Sequence, residues 1–360
     1  MSDSQSILEH DIAGAAVHRR DFRKADGRML RLYGFSPHEL APLPEDPDAI
    51  ATGGELRFHP LRQEWNVYAA HRQNRTFKPA AADDPLAPSR PGQPATEIPF
   101  ENFELAVFDN KFAAFHPDAP LPPALPGIDA APATGACEVV VYSPEPEGDL
   151  HRLGQERRRL LIAAWIDRYA ALFAAGCAYV LPFENRGDAV GVTLHHPHGQ
   201  IYGFERIPQV QARAAKAFAD GYDLAAEIAA SEAEYAVAEA GSCLAFAPRF
   251  ARFPYEVWIA PRTARQGPWA MDEAELDGFA HLLGEVTRRY DAFFGQPTPT
   301  MMALHAAPRG QAKGWHFTAQ FYPLLRATGR LKYLASVEQH SGVFTVDVMP
   351  EAAAKALRDA

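Results

Sequence analysis

The sequence has few cysteines, no long apolar run and a shortage of positive charge. Its 360 residues include only three cysteines, Cys137, Cys177 and Cys243, and no two of them form a C-x-x-C pair. A disulfide framework and a cysteine zinc knuckle are therefore not expected. No apolar stretch approaches the ~18 residues of a membrane span, and the N-terminal MSDSQSILEHDIAG lacks the apolar region of a signal peptide. We expect a protein of the reducing cytoplasm with no membrane partner.

The shortage of basic residues bears on the kind of ligand. Lys and Arg number 35 against 45 Asp and Glu, which gives a net charge of -10. A general nucleic-acid binder usually has the opposite balance, so nucleic acid is not an expected partner. A small phosphorylated substrate needs only a local basic pocket and is compatible with this charge. Hydrophobic residues make up 47% of the chain, enough for a core in two or three structural units.

Two segments have the apolar spacing of long helices. The first, DLHRLGQERRRLLIAAWIDRYAALFAAG, is expected to end at Gly176. The second, MDEAELDGFAHLLGEVTRRYDAFFG, has Asp272 and Glu275 at capping-box spacing and ends at Gly295. An Ala-rich stretch over about 209–239 predicts a third helix. Strands are predicted in EWNVYAAH and ELAVFDNKFAAF, and each is followed by a long loop rich in Pro and Ala.

The order of these segments indicates an internal repeat. VFDNKFAAF (107–115) resembles AFAPRFARF (245–253), and each is followed by a strand and then by one of the long helices. HPHGQIY follows the first helix and HFTAQFY the second, so His196 aligns with His316, and Gln200 with Gln320. At the central position His198 aligns with Thr318. The pattern predicts a duplicated α+β unit in which one copy kept its central histidine.

The densest cluster of reactive side chains is TLHHPHGQIYGF, residues 193–204. On a strand, His196, His198 and Gln200 would lie on one face, and Pro197 would interrupt the hydrogen bonds between strands. A lone His-x-His pair favours a metal site. The Gly-Gln that follows and the repeat instead favour phosphate chemistry, because a glycine lets a phosphate approach the backbone closely.

The segment FENRGDAVGVTLHHPHGQIYGF (183–204) resembles the signature of galactose-1-phosphate uridylyltransferases, a branch of the histidine-triad superfamily with two fused triad-type units. RFHPLRQEWNVYAAHRQNRTFKP, VFDNKFAAF, ALHAAP, WHFTAQFYPLLR and LKYLASVEQHSGVF are also similar to family segments, in family order, over roughly residues 17–350. The resemblance implies an α+β fold of mostly antiparallel sheets with long helices packed against them. It implies an extension with a first strand (1–44), a unit with the nucleophile (45–208), a unit without it (209–350) and a tail (351–360).

The resemblance also implies a mechanism. His198 would attack the α-phosphorus of UDP-glucose, release glucose 1-phosphate, and pass UMP from a uridylyl-histidine to galactose 1-phosphate. Imidazole, with a pKa near ~6.5, is mostly neutral at neutral pH and needs no separate base. Gln200 stands where nucleotide hydrolases of the superfamily carry a third histidine, and would donate an N–H to the phosphate. His196 completes the expected catalytic set, and no cofactor is required.

Further residues match family positions that contact the substrates. Most belong to the N-terminal half of the chain, whereas two belong to a C-terminal segment that in the family reaches the sugar phosphate in a partner subunit. A homodimer with a shared active site is therefore expected. The expected substrate-binding residues are Arg72, Arg75, Asn110, Phe112, Asn185, Thr193, Lys332 and Glu338.

A metal is not expected, although many family members hold a structural zinc through a C-x-x-C and two histidines. The corresponding segment here is DDPLAPS (83–89), with Asp84 and Ala87 at the cysteine positions. Together with His196 and His116 this gives at most three donors, and a closed zinc site needs four. We expect His196 to hydrogen-bond to a carboxylate or a backbone carbonyl instead.

Two alternatives stay open at this point. The same His-x-His-x-Gln motif would serve a related nucleotide phosphorylase or adenylyltransferase that acts on ADP-sugars or dinucleotides. A non-enzymatic nucleotide-binding protein could also retain the fold. A substrate panel separates the first alternative, and a failure of UDP-glucose to label His198 would support the second.

Overall fold

Antiparallel strands dominate the structure. A computed structural model describes residues 7–12, 15–47, 50, 52–74, 79 and 83–360. The strands within these ranges are β1 (Ile7–Ile12), β2 (Ala15–Arg23), β3 (Met29–Gly34), β4 (Glu55–His59), β5 (Glu64–Tyr68), β6 (Leu105–Asp109), β7 (Ala130–Pro132), β8 (Gly135–Val141), β9 (Tyr179–Arg186), β10 (His198–Phe204), β11 (Ala236–Ala240), β12 (Cys243–Phe246), β13 (Val257–Pro261), β14 (Thr300–His305), β15 (Thr318–Pro323), β16 (Leu325–Ala327) and β17 (Arg330–Leu331). The helices are α1 (Gly154–Ala174), α2 (Gln209–Ala219), α3 (Leu224–Ser231), α4 (Glu273–Phe294), α5 (Ser336–Ser341) and α6 (Pro350–Arg358). The predicted α+β class is confirmed.

Twelve strands form one sheet, in the order β1-β2-β3-β6-β8-β10-β9-β14-β15-β13-β12-β11. Neighbouring strands in it are antiparallel. Outward from the central β9–β14 pair, the order β9-β10-β8-β6-β3 on one side matches β14-β15-β13-β12-β11 on the other. Helix α1 connects β8 to β9, and α4 connects β13 to β14. The two halves of the sheet therefore share one strand order and one helix connection.

Helices α1 and α4 cover one face of the sheet and form the main core with it. Leu160 and Leu161 of α1 and Phe279 and Leu283 of α4 are fully buried in the same cluster as Ile201 of β10. Both helices confirm the predictions. The α4 capping box is present, with Asp272 and Glu275 each accepting a backbone N–H. A left-handed Gly295 with φ 65° ends α4.

The predicted helix over 209–239 is wrong. The segment contains two shorter helices, α2 and α3, and then strand β11, which pairs with β12. Gly221, with φ +104°, lies between the helices in a conformation that few other residues adopt. The Asp223 carboxylate then accepts the Ala226 N–H at 3.0 Å and starts α3. Tertiary pairing thus overrides the helix propensity of the alanines.

The N-terminal region contributes more strand than its polar sequence indicates. Three strands, β1 to β3, precede residue 44 and extend the large sheet, where we expected an extension with one strand. The sequence of these strands does not alternate clearly between apolar and polar residues, because some of their charged side chains have buried partners. Arg19, for example, donates to Asp167 of α1 at 2.8 Å. Among the described residues, no helix combines the length and apolar character needed to cross a bilayer.

Candidate active site

Strand β10 places the reactive side chains. His198 opens the strand and pairs with Val141 of β8, and Gln200 lies between Val139 of β8 and Phe183 of β9. Because side chains alternate along a strand, His198 and Gln200 lie on the face opposite to α1 and α4. Gly199 and Ile201 are buried on the helix-covered face.

Packing on the helix-covered face explains why residue 199 is a glycine. A Cβ at this position would lie 2.4 Å from the Tyr142 hydroxyl oxygen and 3.0 Å from the Phe183 carbonyl oxygen. The glycine therefore makes room for Tyr142 behind the strand, a role that the sequence did not indicate.

His196 lies just before β10 and is buried. Its Nδ1 is 2.7 Å from Oδ2 of Asp84, and its Nε2 donates to the Ser143 carbonyl oxygen at 2.8 Å. The predicted bond to a carboxylate or a backbone carbonyl is confirmed, and both kinds are present. Burial alone would raise the pKa of Asp84. The hydrogen bonds from His196 and from the Leu86 N–H hold that pKa below its ordinary value.

The proton on His198 has a defined position. Nδ1 of His198 lies 2.8 Å from the His196 carbonyl oxygen. A carbonyl only accepts, so Nδ1 carries the proton and Nε2 carries the lone pair. Burial lowers the pKa of His198 below its ordinary value. A neutral imidazole with a fixed tautomer and a lone pair on Nε2 is suited to nucleophilic attack.

His198 and Gln200 line a cavity of about 530 Å³. Much of the rest of the wall comes from the end of β6 and the residues after it, from the segment before β10, and from the Pro-rich segment 83–100. Expected substrate-binding residues that also line it are Arg72, Asn110, Phe112 and Thr193.

Hydrogen bonds hold the side wall of this cavity. Arg72 Nη1 donates to the Phe112 carbonyl oxygen at 2.8 Å and to the Tyr202 hydroxyl at 3.4 Å. Asn110 Oδ1 accepts the Phe112 N–H at 2.8 Å. Arg72, Asn110 and Phe112, which are far apart in sequence from His198, thus form one wall beside it.

Sequence reasoning missed Lys24 and Glu97, which also line the cavity. Lys24 Nζ donates to the Glu97 carboxylate at 2.9 Å and lies 3.2 Å from the Glu45 carboxylate. These two carboxylates balance the charge of Lys24, which is only 6% exposed. Lys24 follows β2 in a polar stretch without a motif, so the sequence carried no signal for it.

Three expected substrate-binding residues that the structure describes do not line this cavity. Asn185 lies on β9, two residues after the Phe183 that pairs with Gln200, and pairs with Met301 of β14. Lys332 and Glu338 bond to each other and are buried in the C-terminal segment. Arg75 lies outside the described residues.

A closed zinc site does not fit the residues present. Across the described ranges, no group of three or more His, Cys, Asp or Glu side chains could hold a metal. Ala87 offers no donor, and Ser89 Oγ donates to the Ile98 carbonyl oxygen at 2.8 Å. His116 accepts the Asp118 N–H at 3.0 Å. Both ring nitrogens of His196 already have partners, as described above.

Comparison with known proteins agrees with this geometry. The family model for the galactose-1-phosphate uridyl transferase N-terminal domain matches residues 46–208. A galactose-1-phosphate uridylyltransferase of Thermotoga maritima is 33% identical over 320 residues, which cover 85% of this chain and 98% of the relative. A solved uridylyltransferase is 26% identical with a TM-score of 0.74, over 85% of this chain and 97% of that one. An ADP-glucose phosphorylase from Arabidopsis thaliana, 20% identical with a TM-score of 0.62 over 85% and 98% of the two chains, shares the fold. The chain belongs to the galactose-1-phosphate uridylyltransferase family.

Proposed function

We propose that this protein transfers UMP from UDP-glucose to galactose 1-phosphate through a covalent uridylyl-His198, giving glucose 1-phosphate and UDP-galactose. One observation carries the proposal: Nδ1 of His198 is bound to the His196 carbonyl at 2.8 Å, so the lone pair on Nε2 belongs to a side chain that lines the cavity beside Gln200. The names of the relatives give galactose 1-phosphate and the uridylyl group, and UDP-glucose as the donor comes from the family resemblance.

The chemistry balances without an external base. The Nε2 lone pair attacks the α-phosphorus, the bond from that phosphorus to the bridging oxygen breaks, and the oxygen leaves with glucose 1-phosphate. The modified ring is cationic, and the His196 carbonyl accepts its Nδ1–H. A phosphate oxygen of galactose 1-phosphate then attacks the same phosphorus and releases neutral His198. Imidazole is a good leaving group, which keeps the second transfer easy.

Neighbouring side chains would hold the diphosphate. The Gln200 amide donates to a phosphoryl oxygen without adding a titratable proton. Arg has five N–H donors, and the contacts of Arg72 with Phe112 and Tyr202 use those of Nη1. The remaining donors of Arg72 are suited to a phosphate. Asn110 and Phe112 would contact the nucleoside, and Thr193 lies on the cavity wall with them. Asn185 and Arg75 stay expected substrate contacts from the sequence match alone.

The shared strand order of the two sheet halves supports two fused histidine-triad-type units. In this proposal the first unit spans 45–208 and carries the nucleophile. The second spans 209–350 and lacks it. An extension (1–44) and a tail (351–360) flank them. The three cysteines are free and buried, which suits a reducing cytoplasm.

A second copy of the chain would complete the site. Apolar side chains around Lys332 and Glu338 are exposed, including Tyr333 at 75% and Val343 at 65%. Large exposed apolar side chains of this kind mark interaction surfaces. In a homodimer this segment would bring Lys332 and Glu338 to the sugar phosphate in the partner. Mixing inactive His198→Ala chains with inactive Lys332→Ala chains should then restore activity, whereas an active monomer would contradict the dimer.

The covalent intermediate provides the direct test. Intact-mass measurement after incubation with UDP-glucose alone should show one UMP added per chain, labile to acid. His198→Ala should lose the adduct, and His195→Ala, at an exposed position, should keep it. An adduct that persists in His198→Ala would contradict the assignment. An AMP adduct from ADP-glucose without a UMP adduct would indicate the phosphorylase, and no adduct from either would indicate a binding protein.

A further inference from the structure

The segment 83–100 forms one wall of the cavity and lies outside the α-helices and β-strands of the fold. Its apolar side chains Leu86, Ile98 and Phe100 are buried in a cluster with Phe108 and Val141 of the sheet. Local hydrogen bonds brace it, because Ser89 Oγ donates to the Ile98 carbonyl at 2.8 Å and accepts the Thr96 N–H at 2.9 Å. The segment is thus an ordered wall held at several points.

One of these points connects the wall directly to the catalytic strand. Asp84 accepts the Leu86 N–H through Oδ1 at 3.0 Å and contacts His196 Nδ1 through Oδ2 at 2.7 Å. The His196 side chain is fully buried, and the Asp84 side chain is 11% exposed. A carboxylate–imidazole contact at this depth is screened little by water, and removing one partner leaves the other buried and unpaired.

The same contact reaches the nucleophile. The ring of His196 is held between Asp84 and the Ser143 carbonyl, at 2.7 and 2.8 Å. The backbone carbonyl of His196 accepts the Nδ1–H of His198 at 2.8 Å. The position of that carbonyl determines the tautomer and the orientation of the His198 ring. Asp84 is therefore two contacts away from the reacting nitrogen.

We propose that Asp84 is a positioning residue whose contact with His196 replaces the metal that the family resemblance implies at these positions. It holds segment 83–100 as a wall of the cavity and holds the carbonyl that orients His198. The first role stands on the structure alone, and the second rests on the proposed function. Metal at this place is unfavourable because Ala87 offers no donor and, within the part of the chain that the structure describes, no three His, Cys, Asp or Glu side chains are grouped to hold an ion.

The test uses the full-length chain with Asp84→Ala, the isosteric Asp84→Asn, and Asp118→Asn as a control. Asp118 has an 86% exposed side chain and lies in the other Pro-rich loop. Hydrogen–deuterium exchange without substrate should be faster over 85–99 in Asp84→Ala, intermediate in Asp84→Asn and unchanged in Asp118→Asn. The single-turnover rate of UMP adduct formation should fall by roughly 10–100-fold in Asp84→Ala, the scale seen when a supporting partner is removed. UMP affinity should fall much less than that rate.

The outcomes separate the two roles. If exchange over 85–99 is as slow as in the wild type in both Asp84 variants, Asp84 does not hold the wall. If exchange is faster but the adduct forms at the wild-type rate, Asp84 does not position His198. About one zinc per chain, purified without chelator, overturns the replacement and makes Asp84 a metal ligand. If the wild type forms no adduct, the proposed function fails, while the exchange measurement still decides whether Asp84 holds the wall.

Discussion

The two halves of the large sheet have the same strand order, but the matching strands β10 and β15 have different surroundings. Gln200 of β10 lies between Val139 and Phe183, and Gln320 of β15 lies between Trp258 and Ala303. The histidines that precede the strands make the same bond. His196 Nε2 donates to the Ser143 carbonyl at 2.8 Å, and His316 Nε2 donates to the Pro261 carbonyl at 2.7 Å.

The halves differ in what covers the open face and in how the glutamine is used. In the second half, Gln320 donates to Thr318 at 3.1 Å and accepts from the Tyr322 hydroxyl at 2.5 Å. Leu224 and Ile228 of α3 pack over this face in a cluster with Phe246. In the first half, the Gln200 amide lines a cavity, and no described side chain hydrogen-bonds to it. The two halves therefore differ in whether the glutamine amide is available to a ligand, in addition to the histidine.

The comparison can be tested by removing His198 from β10 and placing a histidine at the matching position, 318, of β15. His198→Ala should lower turnover by roughly 10⁴-fold or more, the scale of losing a nucleophile. Adding Thr318→His to that variant should restore neither turnover nor the adduct, because position 318 is buried and the neighbouring Gln320 amide is bound by Tyr322. Intact mass and turnover with UDP-glucose and galactose 1-phosphate check both. A UMP adduct in the double variant would show that these surroundings are not the obstacle.

The two glutamines sharpen the comparison at a smaller scale. Gln200→Ala should raise the barrier of the transfer by roughly 2–4 kcal/mol, because one preorganised donor to the phosphoryl group is lost. Gln320→Ala should leave turnover unchanged and lower the free energy of unfolding by about 1 kcal/mol, the net value of an internal hydrogen bond. Turnover and chemical denaturation of both variants measure this. Equal effects on turnover would mean that neither glutamine acts on substrate.

The sequence predicted the parts of this comparison that depend on short-range patterns. Helices α1 and α4 follow from apolar spacing, the Asp272–Glu275 box and the terminal glycines. The family follows from the resemblance of segment 183–204 and of five other segments, and the correspondence of Gln200 with Gln320 follows from the internal repeat. The packing of α3 over the second half of the sheet was not predicted. The alanines of 209–239 predicted one helix, whereas this segment contains α3 and β11. Lys24 and the neutralised charges around it were also missed, since only tertiary contacts between distant segments bring them to the cavity.

The smallest expected effect concerns Gly199 of β10. Its counterpart in β15, Ala319, carries a Cβ and is fully buried. Gly199→Ala should lower the free energy of unfolding by roughly 1–3 kcal/mol, the range for overpacking, because its Cβ would lie 2.4 Å from the Tyr142 hydroxyl oxygen.

Tyr142→Phe removes that oxygen, so the double variant should be more stable than the sum of the single effects by roughly 0.5 kcal/mol or more. Denaturation of the wild type, the two single variants and the double variant measures this coupling. Turnover decides what the glycine is for. If Gly199 serves packing, turnover recovers in the double variant along with stability. If Gly199 is needed for close approach of a phosphate to the backbone, turnover stays low after stability is restored, and the packing explanation is wrong.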